Sequence, residues 1–303
     1  MSSQTQLIEL HPDVKINAIV SNGPTTPSTS ARTLPTIIFL HFWGGSSLTW
    51  SLVNPLISAN YPTVALDFRG WGDSTGPDAK DAYSISLLAG DVEAAIAALK
   101  IHSAVLVGLS MGAKVAQLIA ARGKTRLRGL VLVSPAPVIP LILPGDMREQ
   151  QLHAYDNKDS ARFVATNVLT ASYRERDLPE FVVEDMLRGN QWARQAWPAY
   201  GIGEDVSEGV GGISVPVLVI AAEKDVVEPV ERVQTEVCAR IQGSELVVLS
   251  GSGHLSPLDK PEDIAERLLR FLGELCSHGV NDDWEGRSLL TLSGGNDSSE
   301  LSI

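Results

Sequence analysis

The sequence is short of cysteine and contains no long apolar run. Its 303 residues include two cysteines, Cys238 and Cys276, which are too few for a disulfide framework. A reducing compartment is the default for such a chain, and we therefore expect a cytoplasmic protein. No charged segment followed by an apolar run opens the sequence, and no stretch approaches the length of a membrane span. Export and membrane insertion are therefore not expected.

Positive charge is also scarce. The chain has 24 Lys and Arg against 36 Asp and Glu, a formal net charge of -12. Nucleic acids and anionic membrane surfaces repel such a chain, so neither is expected as a partner. Histidine or cysteine pairs at metal-ligand spacing are missing as well, and we predict no metal and no cofactor. The sequence does not indicate an oligomeric state.

What the chain does contain is a regular alternation of apolar runs and amphipathic stretches. Residues 6–20 predict two antiparallel strands, and from residue 36 onward short apolar runs alternate with helical periodicity. This alternation favours an α/β fold whose mostly parallel sheet is covered by helices on both faces. The alternation stops for about 75 residues that carry helical patterns and several prolines. We predict a core built from residues 1–135 and 213–276, a helical lid at 136–212 and a loosely packed tail at 277–303.

A strand, a tight turn and a helix start are predicted within residues 105–113, Val-Leu-Val-Gly-Leu-Ser-Met-Gly-Ala. Gly108 and Gly112 flank Ser110 at the corner. Such a turn requires small residues, because the serine takes a strained conformation in which neighbouring side chains would collide. The turn presents the serine hydroxyl above the carboxyl edge of a sheet, together with the next backbone N–H, that of Met111. Ser110 is therefore the candidate nucleophile.

A serine hydroxyl needs a base, and catalytic groups in open α/β sheets gather at the carboxyl ends of strands. Two of the six histidines, His41 and His254, follow predicted strands. His41 lies beside a glycine pair and is better suited to shaping a loop. His254 lies in the glycine-rich loop after the last strand, from which a side chain can reach across the sheet edge. His254 is the candidate base.

The acid that orients the base should end a strand between the serine and the histidine. The strand at 217–221 leads into a loop that offers Glu223 and Asp225. Asp225 lies farther into the loop, where its carboxylate can turn toward a histidine on the adjacent strand. We predict Asp225 as the acid and keep Glu223 as the alternative.

Four motifs in this order resemble those of the α/β-hydrolase superfamily, in its serine-nucleophile esterase, lactonase and cofactor-free haloperoxidase branch. They are His41-Phe-Trp-Gly44, Asp67-Phe-Arg-Gly-Trp-Gly-Asp-Ser74, Gly108-Leu-Ser-Met-Gly112, and Glu223-Lys-Asp225 with Gly253-His254. The resemblance covers residues 15–275 and implies an eight-stranded, mostly parallel sheet with the lid inserted after the sixth strand.

The resemblance also implies roles for residues near the serine. Trp43 would donate the second oxyanion-hole N–H beside that of Met111, although the family usually has glycine where this chain has Phe42. Arg69 and Asp73 are expected to brace the loop that contains them. A serine nucleophile differs from the aspartate that epoxide hydrolases and haloalkane dehalogenases of the same fold use.

These residues together predict a serine hydrolase that cleaves an ester or lactone of a medium-sized, largely uncharged molecule. Aromatic side chains of the lid suggest an apolar pocket, and the predicted substrate contacts are Phe42, Trp192 and Trp197. Three alternatives remain open at the level of sequence. They are peracid formation by the same triad, C–C bond hydrolysis by the same triad, and a small-molecule receptor without catalysis.

Overall fold

The computed structural model describes residues 3–24 and 34–277. The predicted tail therefore lies outside the described residues, except for Ser277. No helix within the described ranges is both long enough and apolar enough to span a membrane.

Eight strands form one sheet in the order β1-β2-β4-β3-β5-β6-β7-β8. Only β2 runs against the others, because it pairs antiparallel with β1 and β4 while the remaining pairs are parallel. The predicted mostly parallel sheet is confirmed. The strands are β1 (Ser3–His11), β2 (Val14–Ser21), β3 (Thr36–Leu40), β4 (Thr63–Leu66), β5 (Ala104–Leu109), β6 (Leu127–Val133), β7 (Val217–Ala222) and β8 (Glu245–Leu249).

Helices follow most of the strands. They are α1 (Asn54–Ser58), α2 (Ile85–Ala98), α3 (Met111–Arg122), α4 (Gly145–Leu152), α5 (Lys158–Val164), α6 (Glu180–Arg188), α7 (Gln191–Ala199), α8 (Val230–Arg232), α9 (Ser256–Asp259) and α10 (Pro261–Ser277). In the sheet order β5 lies between β3 and β6, and all six of its residues are buried. Helix α2 packs on α3 and α1 packs on α10, which gives two groups of helices around the sheet.

Helix α10 shows how the sequence positions these helices. Its buried residues Ile264, Leu268, Phe271 and Leu275 recur every three or four positions and form one apolar stripe. The stripe lies against β6, where a Cβ added to Gly129 would meet Leu275 at 2.8 Å. Each fully buried side chain of this size contributes roughly 1.5–3 kcal/mol through its removal from water.

Two helical segments are interrupted. After β3 the chain forms a 3-10 turn, Ser47–Trp50, which is followed by α1. Pro55 explains the break, because proline lacks an N–H and is tolerated only in the first turn, where it lies in α1. After β7, helix α8 continues into a π turn, Val233–Val237.

Between β6 and β7 the chain leaves the sheet, and residues 136–212 contain helices and no strand. This insertion contacts loops that follow three different strands. The Arg194 carbonyl accepts a hydrogen bond from the Trp43 indole N–H at 2.9 Å, and the Asn190 N–H donates to Gly70 O at 2.8 Å. The Leu255 N–H donates to an insertion carbonyl at 2.7 Å. The insertion therefore covers the carboxyl edge of the sheet.

Candidate functional site

Ser110 lies in the tight turn between β5 and α3 with φ 55° and ψ -113°, a backbone conformation that side-chain-bearing residues rarely adopt. Its N–H donates to Val133 O at 3.1 Å, which ties the turn to the end of β6. A Cβ on Gly108 would lie 2.4 Å from Gly112 O, and a Cβ on Gly112 would lie 2.5 Å from His41 O. Both glycines are therefore required by close backbone approach, as the sequence predicted.

Asp225 and His254 come together at the same edge. Asp225 Oδ2 lies 2.8 Å from His254 Nδ1, and the two residues are 5% and 2% exposed. The other carboxylate oxygen accepts the N–H groups of Val227 at 2.8 Å and Glu228 at 2.9 Å. These bonds fix the carboxylate, which in turn holds the imidazole with its Nε2 available to another group.

The electrostatics of the pair favour a charged histidine. Burial alone would lower the pKa of His254, but the charge of Asp225, the hydrogen bond that the His254 ring donates to Asp225 and the charge of Glu228 raise that pKa above its usual value. Burial likewise opposes ionisation of Asp225, yet the charge and hydrogen bond of His254 hold the pKa of Asp225 below its usual value. An imidazole in this position can accept a proton, and the charge of Asp225 stabilises the imidazolium that forms.

Ser110 follows the last residue of β5, at the same edge of the sheet, but its hydroxyl forms no hydrogen bond with His254. Among the hydrogen bonds of the described residues, the Ser110 hydroxyl has no partner. Catalytic hydrogen bonds are often long in unliganded proteins and shorten when substrate binds. Ser110 is 7% exposed, so both reactive groups are covered in this structure.

Glu223, the alternative acid, binds elsewhere. Its Oε2 accepts the Ser250 hydroxyl and the Gly251 N–H, both at 2.8 Å. These two donors lower the pKa of Glu223 to about 2. Glu223 therefore holds the start of the His254 loop from the solvent side, while Asp225 accepts the hydrogen bond of the histidine.

His41 shapes the loop after β3, as predicted. Its Nε2 accepts the Phe68 N–H at 3.0 Å and its Nδ1 lies 2.7 Å from Phe42 O, so the ring joins two loops. Complete burial lowers the pKa of His41 to about 4. A neutral ring with Nδ1–H and an acceptor at Nε2 satisfies both contacts.

Arg69 and Asp73 brace the loop after β4. Arg69 forms a buried bidentate pair with Asp91 of α2, with N–O distances of 2.5 and 2.6 Å. Asp73 is paired at the surface with Arg188 of α6, in the insertion. The loop is thus attached both to the core and to the insertion.

The candidate oxyanion-hole residues occupy a helix start and a turn. Met111 is the first residue of α3, where an N–H has no acceptor within the helix. The Trp43 carbonyl accepts the Tyr155 hydroxyl at 2.9 Å, and the Phe42 carbonyl accepts the Gly45 N–H at 3.1 Å. The loop is held from both sides, and the choice of the Trp43 N–H over that of Phe42 stays a prediction.

Two of the three predicted substrate contacts line small cavities. Phe42 and Leu255 border an apolar cavity of about 20 Å³ under α6. Trp197 borders one of about 10 Å³ that Met111 also lines. Trp192 lines neither, since its indole N–H donates to the Asp78 carboxylate in an exposed contact. This placement favours a structural role for Trp192.

Sequence reasoning missed two buried carboxylates beside the His254 loop. Glu228 is 2% exposed, burial raises its pKa to about 7, and its partner Arg232 lies 3.4 Å away. Asp259 accepts backbone N–H groups on both sides of a contact between the loop and the insertion. The position of Glu228 three residues after Asp225 is the only local signal, whereas the contacts of Asp259 depend on tertiary structure.

The part of the chain that the structure describes holds no group of three or more His, Cys, Asp or Glu side chains arranged for a metal ion. The expectations that the protein uses no metal and no cofactor stay predictions.

Comparison with known proteins gives one family. A model described as the alpha/beta hydrolase family matches residues 37–267, more than half of the chain. The AB hydrolase superfamily protein YisY of Bacillus subtilis is 28% identical over 78% of this chain and 90% of its own. The 3-oxoadipate enol-lactonase 2 of Acinetobacter baylyi is 29% identical over 75% and 85%. The solved structure of Est816, described as an N-acyl homoserine lactone degrading enzyme, is 25% identical with a TM-score of 0.71, covering 88% of this chain and 100% of its own.

Proposed function

The chain belongs to the alpha/beta hydrolase family, and from this premise we propose that it is a serine hydrolase acting on a carboxylic ester or lactone. The observation that carries the proposal is the buried hydrogen bond between Asp225 and His254, at the sheet edge where Ser110 occupies its strained turn. Two of the similar proteins named above are described by their action on lactones, which supports this substrate class.

The proposed reaction proceeds through an acyl-enzyme. Ser110 Oγ attacks the substrate carbonyl while His254 Nε2 takes the hydroxyl proton. The Asp225 carboxylate keeps the imidazole in the required tautomer and stabilises its charge. The N–H groups of Met111 and Trp43 bind the oxyanion. The imidazolium then protonates the leaving alcohol, and His254 activates a water molecule that releases the acid and restores Ser110.

We propose a medium-sized, largely apolar substrate that binds under the insertion, which would act as a lid. The side chains near the site support an apolar pocket, with Phe42 and Trp197 as contacts. The two cavities they line are small, about 20 and 10 Å³, and we propose that the lid moves away from the sheet edge when the substrate enters.

The decisive experiment compares ester hydrolysis by the wild type and Ser110→Ala. A panel of short and medium acyl esters and simple lactones is assayed for acid release. We expect turnover by the wild type and a loss of at least about 10⁴-fold in Ser110→Ala, as removal of a triad nucleophile produces. Ser86→Ala is the matched control, because Ser86 is exposed on α2 and its hydroxyl accepts a hydrogen bond from the Arg122 side chain. Full activity in Ser110→Ala would contradict the proposal.

The wild type and Ser110→Ala also distinguish ester hydrolysis from the three alternative functions. Halogenation that depends on hydrogen peroxide and a carboxylic acid, without ester turnover, would indicate a perhydrolase. Cleavage of a vinylogous diketone would indicate C–C hydrolysis. Saturable binding of a small molecule by both the wild type and Ser110→Ala, with no turnover by either protein, would indicate a receptor.

A further inference from the structure

The Asp259 carboxylate joins two segments that lie far apart in the sequence. Its Oδ2 accepts the Gly253 N–H and the Ala171 N–H, both at 2.8 Å, and its Oδ1 accepts the Ser172 N–H at 3.0 Å. Gly253 immediately precedes His254, whereas Ala171 and Ser172 belong to the insertion. Asp259 is itself 6% exposed at the end of α9.

The residue on the other side of His254 is bound to the same part of the insertion. The Leu255 N–H donates to Leu169 O at 2.7 Å. The backbones also touch, since a Cβ on Gly253 would lie 2.9 Å from Ala171 N and 3.0 Å from Leu169 O. Both neighbours of the histidine are therefore attached to residues 169–172, which we call the insertion strap.

The position of the histidine depends on these attachments. The 2.8 Å bond from His254 Nδ1 to Asp225 requires the loop to hold the ring within a few tenths of an ångström. From the solvent side the loop is held by Glu223, whose carboxylate accepts hydrogen bonds from Ser250 and Gly251. On the insertion side, Asp259 is the only carboxylate within residues 34–277 that accepts hydrogen bonds from both this loop and the strap.

We propose that Asp259 is a positioning residue, which aligns His254 with Asp225 only while the insertion strap is seated against the loop. This inference rests on the proposed serine hydrolase function. Its consequence is that closure of the lid and alignment of the base are one event. A substrate that lifts the strap on entry would meet a misaligned base until the lid closes again.

The test replaces Asp259 with asparagine, which keeps the shape but turns one acceptor into a donor. Such a side chain cannot accept N–H groups at both of its terminal atoms. For an ester that the wild type hydrolyses, we expect kcat to fall at least tenfold with a smaller change in KM. Asp259→Glu, which keeps both acceptors, should recover part of the loss. Asp263→Asn is the matched control, since Asp263 is exposed in the first turn of α10.

The pKa of His254 gives a readout that a merely structural role would not change. The groups that face His254 are Asp225 and Glu228, with Arg232 beside Glu228, while Tyr173 and Arg176 lie on the Asp259 side. If the loop is released, the contact with Asp225 loosens and the acidic limb of the kcat/KM profile should move to lower pH. An unchanged kcat, or a reduced kcat with an unmoved limb, would overturn the proposal.

An NMR titration of the His254 ring separates this proposal from the proposed function. If the wild type hydrolyses no ester, the hydrolase assignment fails, but the ring pKa can still be compared between the wild type and Asp259→Asn. A lower ring pKa in the variant supports positioning by Asp259 without any substrate. Equal ring pKa values in the two folded proteins refute it.

Discussion

Replacing Gly112 with alanine should destabilise the protein, because the turn around Ser110 leaves no space for a Cβ. That atom would lie 2.5 Å from His41 O and 2.6 Å from Leu40 O. Both are backbone atoms at the end of β3, so no flexible side chain can move aside. Overpacking of this kind costs up to about 3 kcal/mol. Alanine also restricts the unfolded chain, which returns about 1 kcal/mol, and the expected net loss is about 2 kcal/mol.

Urea unfolding of Gly112→Ala and Gly90→Ala measures this effect. Gly90 is the matched control, since it lies inside α2 and a Cβ there meets nothing within 4 Å. Gly90→Ala should gain about 0.5–1 kcal/mol from helix propensity. In a thermal scan the melting temperature of Gly112→Ala should fall by about 3 °C. If the two variants have equal stability, the steric argument for the turn is wrong.

Two further predictions concern pH. His41 has its pKa lowered to about 4, so between pH 4 and 6.5 the unfolded state binds a proton that the folded state does not, and stability rises with pH. Acidification from pH 6.5 to 4 should lower the free energy of unfolding by about 3 kcal/mol, because His41 takes up its proton only in the unfolded state. Urea unfolding should show a weaker dependence of this free energy on pH in His41→Gln than in the wild type. Equal slopes in the two proteins would contradict this. The charged form of Glu228 raises the pKa of His254, and because burial raises the pKa of Glu228 itself to about 7, this charge acts on only the upper part of the acidic limb of kcat/KM. Glu228→Gln should therefore move that part of the limb to lower pH, whereas Glu231→Gln, an exposed neighbour, should not move it. A limb that stays in place in Glu228→Gln would show that its carboxylate has no influence on the base.

The turn around Ser110 was predictable because its determinants are local. Gly108 and Gly112 lie two residues from the serine, and the apolar run before them marks the strand. The strands were predictable for the same reason, since burial of both sheet faces produces continuous apolar runs such as Val217–Ala222.

The choice between two acids and the role of Asp259 depended on contacts distant in sequence. Glu223 and Asp225 lie in one loop, and which of them meets His254 is decided by how two neighbouring loops fold. Asp259 binds Ala171 across 88 residues, and no spacing rule links such positions. The placement of Trp192 was also decided by tertiary contact, because the same aromatic residue can face a pocket or a surface loop.

One physical device recurs in the loops of the carboxyl edge. Loops lack the regular hydrogen bonds of strands, so their N–H groups need other acceptors when they are buried. Three aspartates supply them: Asp67 accepts from Ser47 and Asp73, Asp225 from Val227 and Glu228, and Asp259 from three residues in two segments. Each carboxylate fixes a loop that carries or adjoins a candidate catalytic group. The edge of the sheet can therefore hold reactive side chains in a defined geometry although none of them except Ser110 directly follows a strand.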